Sequence, residues 1–276
     1  MLFRSLFMRY AAPAFGPVPL IWLRVAVAAL CLAPLLILRG QQGVLRQHAT
    51  GIALMGVFSS ALPFVLIAWA MLSITAGLAS ILNATVPIFT ALIGALWLRE
   101  RLGAWRTSGL AVGFGGVLLL AADKADFKPG GSGWAIAAML LATLSYGFAA
   151  NLARRRLTGV PALVNAAGSQ IVSAIVLLPF AVWFWPPTTP GWMAWSAAVV
   201  LGVGCTALAF LLFFRLIANV GASRAVTVTF LIPLFGVLWG SLFLGETLNA
   251  GMLVGGSVVV LGTALATGVL HLRLRA

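Results

Sequence analysis

Four carboxylate side chains are the only acids in the 276-residue chain, and their positions limit the chemistry available to it. They are Glu100, Asp123, Asp126 and Glu246, and each falls at the end of an apolar run or in a connection between runs. No carboxylate is therefore expected in the interior of an apolar segment. Acid–base catalysis and proton relay inside such segments both need one, so the sequence disfavours them.

The histidines and cysteines form neither a metal site nor a nucleophilic pair. His48 and His271 lie in a connection and in the tail, while Cys31 and Cys205 lie inside apolar runs. No His–acid or Cys–His arrangement and no metal-ligand spacing is present. The sequence predicts no catalytic residue, no metal site and no cofactor, and it assigns the cysteines to packing.

Arg24 is a charged side chain inside an apolar run, seven residues after Pro17. In a helix this position is about 10 Å from the end. A cation there must reach the interface, pair with a carboxylate or meet carbonyl groups at a broken helix. We predict a contact between Arg24 and Glu246, as a structural ion pair or a gate. The alternatives are snorkelling and direct binding of an anionic substrate group.

Two prolines lie within apolar runs, each preceded by a polar residue. Asn83 comes four residues before Pro87, and Thr227 comes six residues before Pro233. A proline frees the carbonyl group one turn earlier and bends its helix. This pattern predicts two kinks near the middle of the runs, with these four residues on the wall of a cavity. The alternative for Asn83 and Thr227 is a hydrogen bond to a neighbouring helix.

Further polar and aromatic residues inside apolar runs are candidates for the same wall. Small polar side chains either line a cavity or permit a close helix crossing. Aromatic rings can stack against flat solutes and attract cations. These candidates are Ser59, Thr206, Trp69, Tyr146 and Phe210.

The chain contains an internal repeat with a constant offset of 146 residues. The segment 76–116 recurs without a gap as 222–262, and the match extends upstream. Such repeats in an apolar chain indicate a protein built from two related halves. Two matched glutamates, Glu100 and Glu246, are candidates for a gate or, alternatively, for caps at the positive end of the next helix. Matched pairs include Pro87 with Pro233, Gly94 with Gly240, Glu100 with Glu246 and Arg24 with Gln170.

Composition predicts that the elements carrying these residues are membrane helices. The chain is 62% hydrophobic and 8% charged, whereas a soluble protein has about 25% charged residues. Spans of about 20 residues fill its length with nine or ten helices, which is an all-α integral membrane fold. The net charge of +13 comes from arginines at the ends of the runs. Because they do not share one basic face, a nucleic-acid partner is disfavoured.

Apolar runs bounded by breakers predict nine full spans after a short first one. The short piece covers residues 1–10, about half a bilayer, and a connection is predicted at 11–17. We expect a first helix truncated at its N-terminus, with a half-span as the alternative. The full spans are predicted near 17–38, 49–72, 76–98, 104–122, 132–153, 162–184, 192–214, 222–244 and 249–270.

The arginines predict the orientation of the spans. They fall in alternate connections, while the other connections lack Lys and Arg or, at 123–128, balance them with Asp. The positive-inside rule then places the C-terminus in the cytoplasm and the protein in the inner (plasma) membrane. The two copies of the repeat start on opposite sides, so they run in opposite directions. This predicts an inverted 5+5 arrangement of ten helices, with one repeat at 1–122 and the other at 132–270.

The repeated segments resemble a known family, the EamA-type transporters of the drug/metabolite transporter superfamily. The resemblance implies ten helices, a central cavity between the halves and transport of small organic solutes, often outward. It rests on residues 222–225, 232–235 and 245–248, with similar residues at 79–82, 86–89 and 98–102.

These observations predict a transporter of small organic solutes that works by alternating access through a central cavity. Export of amino acids or related metabolites is the leading expectation. The alternatives are efflux of drugs or cationic compounds and, less favoured, a non-transporting scaffold or a membrane enzyme. The expected partners are a small-molecule substrate and the lipid bilayer. Glycines such as Gly113 and Gly255 allow internal packing in a monomer or a face for a homodimer.

Overall fold

The computed structural model describes residues 4–100, 102–122, 132–212, 231–246 and 250–268. Within these ranges the chain forms long helices joined by short connections, and no strand. A short helix, Gln42–Gln47, lies between the second and third long helices. The long helices are α1 (Arg4–Phe15), α2 (Pro17–Leu38), α3 (Ala49–Ala70), α4 (Ala76–Trp97), α5 (Ala104–Ala122), α6 (Ser132–Arg156), α7 (Ala162–Trp183), α8 (Trp192–Leu212), α9 (Leu231–Leu244) and α10 (Ala250–Ala266).

Helices α2 to α8 are each long and apolar enough to cross a membrane. The described parts of α9 and α10 are also apolar and contain 14 and 17 residues. An apolar helix satisfies its own backbone N–H and C=O groups, which lipid cannot do. The predicted all-α membrane fold is confirmed, and α2 to α8 lie close to the predicted limits.

The predicted connection at residues 11–17 is wrong for most of its length. Helix α1 continues through Pro13 to Phe15, and Ala11, Ala12 and Phe15 are buried. The apolar contacts of these side chains keep the segment helical despite the proline. Gly16, with φ of 76°, makes the turn into α2. Glycine adopts this left-handed conformation without strain.

Helices α5 and α10 cross through facing glycines. A Cβ atom at Gly262 would overlap the backbone of Gly113, and one at Gly116 would lie 2.7 Å from the Val259 nitrogen. The 146-residue offset converts the first contact into the second, because Gly113 matches Val259 and Gly116 matches Gly262. The crossing therefore relates the two halves by a pseudo-two-fold axis. Here the predicted close approach of these helices is internal packing.

Helices α2 and α7, which are also matched, pack against each other across the halves. The Trp22 indole Nε1 donates a hydrogen bond to the Ala174 carbonyl at 3.1 Å. Ser173 on α7 donates to the Gly56 carbonyl on α3 at 2.8 Å. This packing places α2 beside α8 and α7 beside α3, which brings the polar residues of the two helices to the interface between halves.

Candidate functional site

Arg24 on α2 is a buried cation that contacts both halves. Arg24 is 3% exposed, and its Nε donates to the Thr206 hydroxyl on α8 at 2.8 Å. The guanidinium carbon lies 3.8 Å from the centroid of the Phe64 ring on α3, and Nη1 lies 3.8 Å from the Met8 sulfur on α1. The aromatic face and the hydroxyl stabilise a positive charge removed from water.

Gln170 on α7 makes the matching contact from the other half. Its side-chain Nε2 donates to the Ser60 hydroxyl on α3 at 3.0 Å. Gln170 matches Arg24 and Ser60 matches Thr206, so the two hydrogen bonds are equivalent by the 146-residue offset. Gln170 is completely buried, and its Oε1 atom has no hydrogen-bond partner among the described residues. A buried acceptor without a donor is costly in a closed protein interior.

The two hydroxyl residues lie in π-helical segments at matched positions. Residues Val57–Ala61 of α3 and Val203–Leu208 of α8 both have this wider winding. Within α8, the Thr206 hydroxyl donates to the Leu201 carbonyl five residues earlier at 2.8 Å, so its oxygen faces Arg24 as an acceptor. Short π segments inside helices occur frequently at functional sites.

The predicted contact between Arg24 and Glu246 is not formed. Glu246 instead accepts hydrogen bonds from the backbone N–H groups of Ala76 and Gly77, at 2.7 and 3.0 Å. These groups open α4 and have no partner within that helix, and they carry its positive dipole. A carboxylate at the end of α9 is thereby held by α4, and Arg24 takes a hydroxyl acceptor on α8.

Glu100 has a different partner from its match Glu246. It forms an ion pair with Arg154 at the end of α6, where both side chains are partly exposed. Both glutamates follow a residue with positive φ, Arg99 at 55° and Gly245 at 62°. Their backbone N–H groups donate to the carbonyl groups six residues earlier, which terminates α4 and α9 in the same way.

Helix α4 is broken at Ala84 and Thr85, as Pro87 predicts. Its two parts are Ala76–Asn83 and Val86–Trp97. Thr263 on α10 donates to the Ala84 carbonyl at 2.8 Å, and Thr85 donates to Thr143 on α6 at 3.0 Å. The Asn83 Oδ1 atom is buried, and no described residue donates a hydrogen bond to it. The break therefore exposes polar groups to two other helices.

Comparison with known proteins decides the family. The model of the EamA-like transporter family matches residues 3–122 and 133–268. The chain belongs to the EamA-like transporter family. This multi-pass membrane transporter is similar over its whole length to a solved crystal structure, with a TM-score of 0.70 and 22% identity, covering 100% of this chain and 94% of the other. At that identity the likeness shows the fold.

Three curated relatives of the transporter come from two bacteria and an archaeon. A probable terminal-alkyne amino-acid exporter of Streptantibioticus cattleyicolor is 28% identical over 94% of this chain and 86% of that protein. An uncharacterized transporter of Archaeoglobus fulgidus is 23% identical over 92% and 90%. The uncharacterized inner membrane transporter YedA of Escherichia coli is 24% identical over 94% and 84%. All three names describe transporters.

The structure brings some of the other predicted wall residues together. The Tyr146 ring lies 6.3 Å from the Phe64 ring, beside Arg24. Ser59 instead donates to the Met55 carbonyl of its own helix at 2.6 Å. Trp69 is half-exposed, and Phe210, which matches Phe64, is partly buried. Pro233 is buried in α9, and Thr227 lies outside the described residues.

Sequence reasoning missed several polar residues of the transporter interior. Asn151 on α6 is fully buried and donates to the Thr90 and Gly147 carbonyls, both at 2.9 Å. Thr143 and Thr263 serve the break in α4. Each is a single polar residue in an apolar run, and α6 has no full counterpart upstream with which to compare it. The signal in the sequence that could have found them is the presence of a polar residue within an apolar run.

Two cavities open at the end of the transporter that carries the loop after α2. One, of about 230 Å³, is lined by residues including His48 and Arg156. The other, of about 170 Å³, is lined by residues including Leu45 and Gly168. Neither contains a predicted wall residue. In the described part of the chain, no three His, Cys, Asp or Glu side chains lie close enough together to hold a metal ion.

Proposed function

We propose that this transporter exports small organic solutes, chiefly amino acids or related metabolites, by alternating access through a central cavity between its halves. The observation that carries the proposal is the pair of matched contacts, Arg24–Thr206 and Gln170–Ser60. Each joins a helix of one half to the π-helical segment of the other. Inverted repeats built in this way can exchange conformations, which opens the cavity to one side and then to the other.

Amino acids are proposed because of what surrounds these contacts and because of one relative's name. A buried cation, an amide and aromatic rings lie together at the interface between halves. The 28% identical relative is named a probable amino-acid exporter. The proposed wall of the cavity keeps the predicted residues Asn83, Pro87, Tyr146, Thr227, Pro233, Ser59, Thr206, Trp69 and Phe210, with Arg24, Gln170, Glu100 and Glu246 at its gates.

Glu246 supports the proposal for gating. It joins the end of α9 to the start of α4, and these helices are matched between the halves. A carboxylate bound by two backbone N–H groups can hold one end of a cavity shut until the helices separate. The proposed location is the inner membrane, with the C-terminus in the cytoplasm.

The proposal is tested with the purified full-length transporter in liposomes. The liposomes are preloaded with radiolabelled L-phenylalanine or L-leucine, and others with the cationic dye ethidium. We expect amino-acid efflux above that of protein-free liposomes, accelerated by unlabelled amino acid outside. An imposed pH gradient should change it little, because no carboxylate lies in mid-span. Movement of ethidium alone would favour cation efflux, and movement of neither solute would contradict the proposal.

A further inference from the structure

Arg24 and Gln170 occupy equivalent places in the two halves but differ in chemistry. Both donate to a hydroxyl group in a π-helical segment, and both are buried. Arg24 is a permanent cation with a planar fork of donors that fits a carboxylate. Gln170 is neutral and carries a buried oxygen that no group in the described structure satisfies. The pseudo-symmetric site is therefore electrostatically asymmetric.

The two side chains approach the same helix one turn apart. Gln170 contacts Ser60 on α3, and Arg24 lies over Phe64, four residues further along that helix. Residues at this spacing share one face of a helix and are separated by about 6 Å along its axis. Arg24 and Gln170 thus contact the same face of α3 about one turn apart, at the interface between the halves.

We propose that Arg24 and Gln170 together bind the charged backbone of a zwitterionic amino acid. Arg24 binds the carboxylate and the Gln170 oxygen accepts from the ammonium group, while the Thr206 and Ser60 hydroxyls occupy the two side chains when substrate is absent. An α-amino acid carries both charges on one carbon. With hydrogen bonds of about 2.8 Å at either end, it can span two side chains that contact one helix a single turn apart. This inference rests on the proposed amino-acid export.

The difference between Arg24 and Gln170 matters because two identical side chains would bind a zwitterionic amino acid less well. Two arginines would repel the ammonium group, and two glutamines would lack a charge for the carboxylate. A site with one of each discriminates against solutes that lack either charge, because the charge-assisted hydrogen bond on that side is then lost. The aromatic rings of Phe64 and Tyr146 beside Arg24 supply apolar surface for the side chain of the substrate.

Ligand-induced thermal stabilisation of the purified transporter tests the proposal without relying on transport. The probes are L-phenylalanine and L-propargylglycine, their methyl esters, which lack the negative charge, and their N-acetyl derivatives, which lack the positive charge. The wild type should bind the free amino acids about tenfold or more tightly than either derivative. Equal binding of all three forms would overturn the proposal.

Two variants separate the roles of the side chains by making the pair symmetric. Arg24→Gln should lose about tenfold or more in affinity for the amino acids but little for the methyl esters. Gln170→Arg should weaken binding of the amino acids and favour the N-acetyl forms. The matched controls are Arg46→Gln and Gln47→Arg, because both residues are exposed in the connection after α2. Neither control should change the preference.

Further outcomes distinguish this inference from a structural role and from failure of the proposed function. If Arg24→Gln does not fold, the inference is tested with Arg24→Lys, which keeps the charge, and with Gln170→Arg. The measurement is again the preference for the free amino acid over its two derivatives. A stable Arg24→Gln protein that still prefers the free amino acid would make Arg24 a structural residue and overturn the inference. A wild type that binds or moves ethidium and no amino acid would instead contradict the proposed function.

Discussion

The same residue type acts differently at matched positions, as the two glutamates show. Glu246 accepts from two backbone N–H groups at the start of α4, at 2.7 and 3.0 Å. Glu100 pairs with Arg154 where both side chains reach solvent. Exposed ion pairs contribute little to stability, whereas a carboxylate that satisfies otherwise unpaired helix-end donors contributes more.

Removing the charge of each glutamate should therefore have unequal effects. We expect Glu246→Gln to lower the free energy of unfolding by about 1 kcal/mol and Glu100→Gln by less than about 0.5 kcal/mol. Thermal unfolding of the two purified variants beside the wild type measures the difference. Glu100→Gln is the matched control, since it removes the same charge at the equivalent position. A larger loss for Glu100→Gln would contradict this account.

At the residue scale, the sequence did not predict the hydrogen-bond partner of Arg24. The sequence matched Arg24 with Gln170 and Ser60 with Thr206 through one offset. It did not reveal that Arg24 contacts Thr206, because nothing in a repeat says which matched positions face each other. The sequence favours Glu246 as the partner because, apart from the 123–128 loop, it is the one acid expected on the same side as Arg24. Unpaired N–H groups at the start of α4 compete for that carboxylate, and their positions depend on packing.

At the scale of helices, the sequence predicts where a helix breaks better than it predicts which side chains bond to the backbone groups at the break. Pro87 removes a backbone donor, and this local rule predicted the interruption of α4 at Ala84 and Thr85. The hydroxyl of Thr263 that satisfies the Ala84 carbonyl comes from a helix 179 residues later. Local rules therefore predicted α2 to α8 close to their observed limits but not the end of α1, while contacts between distant helices needed the structure.

The glycine crossing of α5 and α10 gives a prediction for single methyl groups. Gly262→Ala should lower the free energy of unfolding by about 2 kcal/mol, because the added Cβ overlaps the Gly113 backbone. Gly115→Ala is the matched control on α5, where a Cβ would meet nothing within 4 Å. It should be neutral or stabilise by up to about 1 kcal/mol. Equal melting temperatures for the two variants would argue against the crossing.

At the scale of the whole molecule, the structure gathers the arginine-rich connections after α2, α4 and α6 at one end. Arg154 pairs with Glu100, and Arg155 lies 5.2 Å from the Trp97 ring. Arg156 and His48 line one cavity at that end. The contact of Glu246 with Ala76 joins connections that carry no Lys or Arg. The charge pattern and the packing thus agree on which connections lie at the same end. The positive-inside rule predicts that the arginine-rich end faces the cytoplasm.

Thiol labelling of intact cells tests the proposed orientation. Cys31→Ala and Cys205→Ala remove the native thiols, and Thr188→Cys or Thr158→Cys is then added. Both threonines are exposed, one between α7 and α8 and the other between α6 and α7. A membrane-impermeant maleimide should label Thr188→Cys in intact cells and Thr158→Cys only after lysis. The reverse pattern would place the C-terminus outside.

The glycine crossing also has a consequence for how the protein is made. The contact surface of α5 includes bare backbone at Gly113 and Gly116, and its partner α10 is the last long helix of the described chain. At a synthesis rate of 5–20 residues per second, about seven to thirty seconds separate the emergence of the two helices. During that interval the α5 surface must be covered by lipid or by insertion factors. The final packing of the first half therefore waits until α10 has been synthesised.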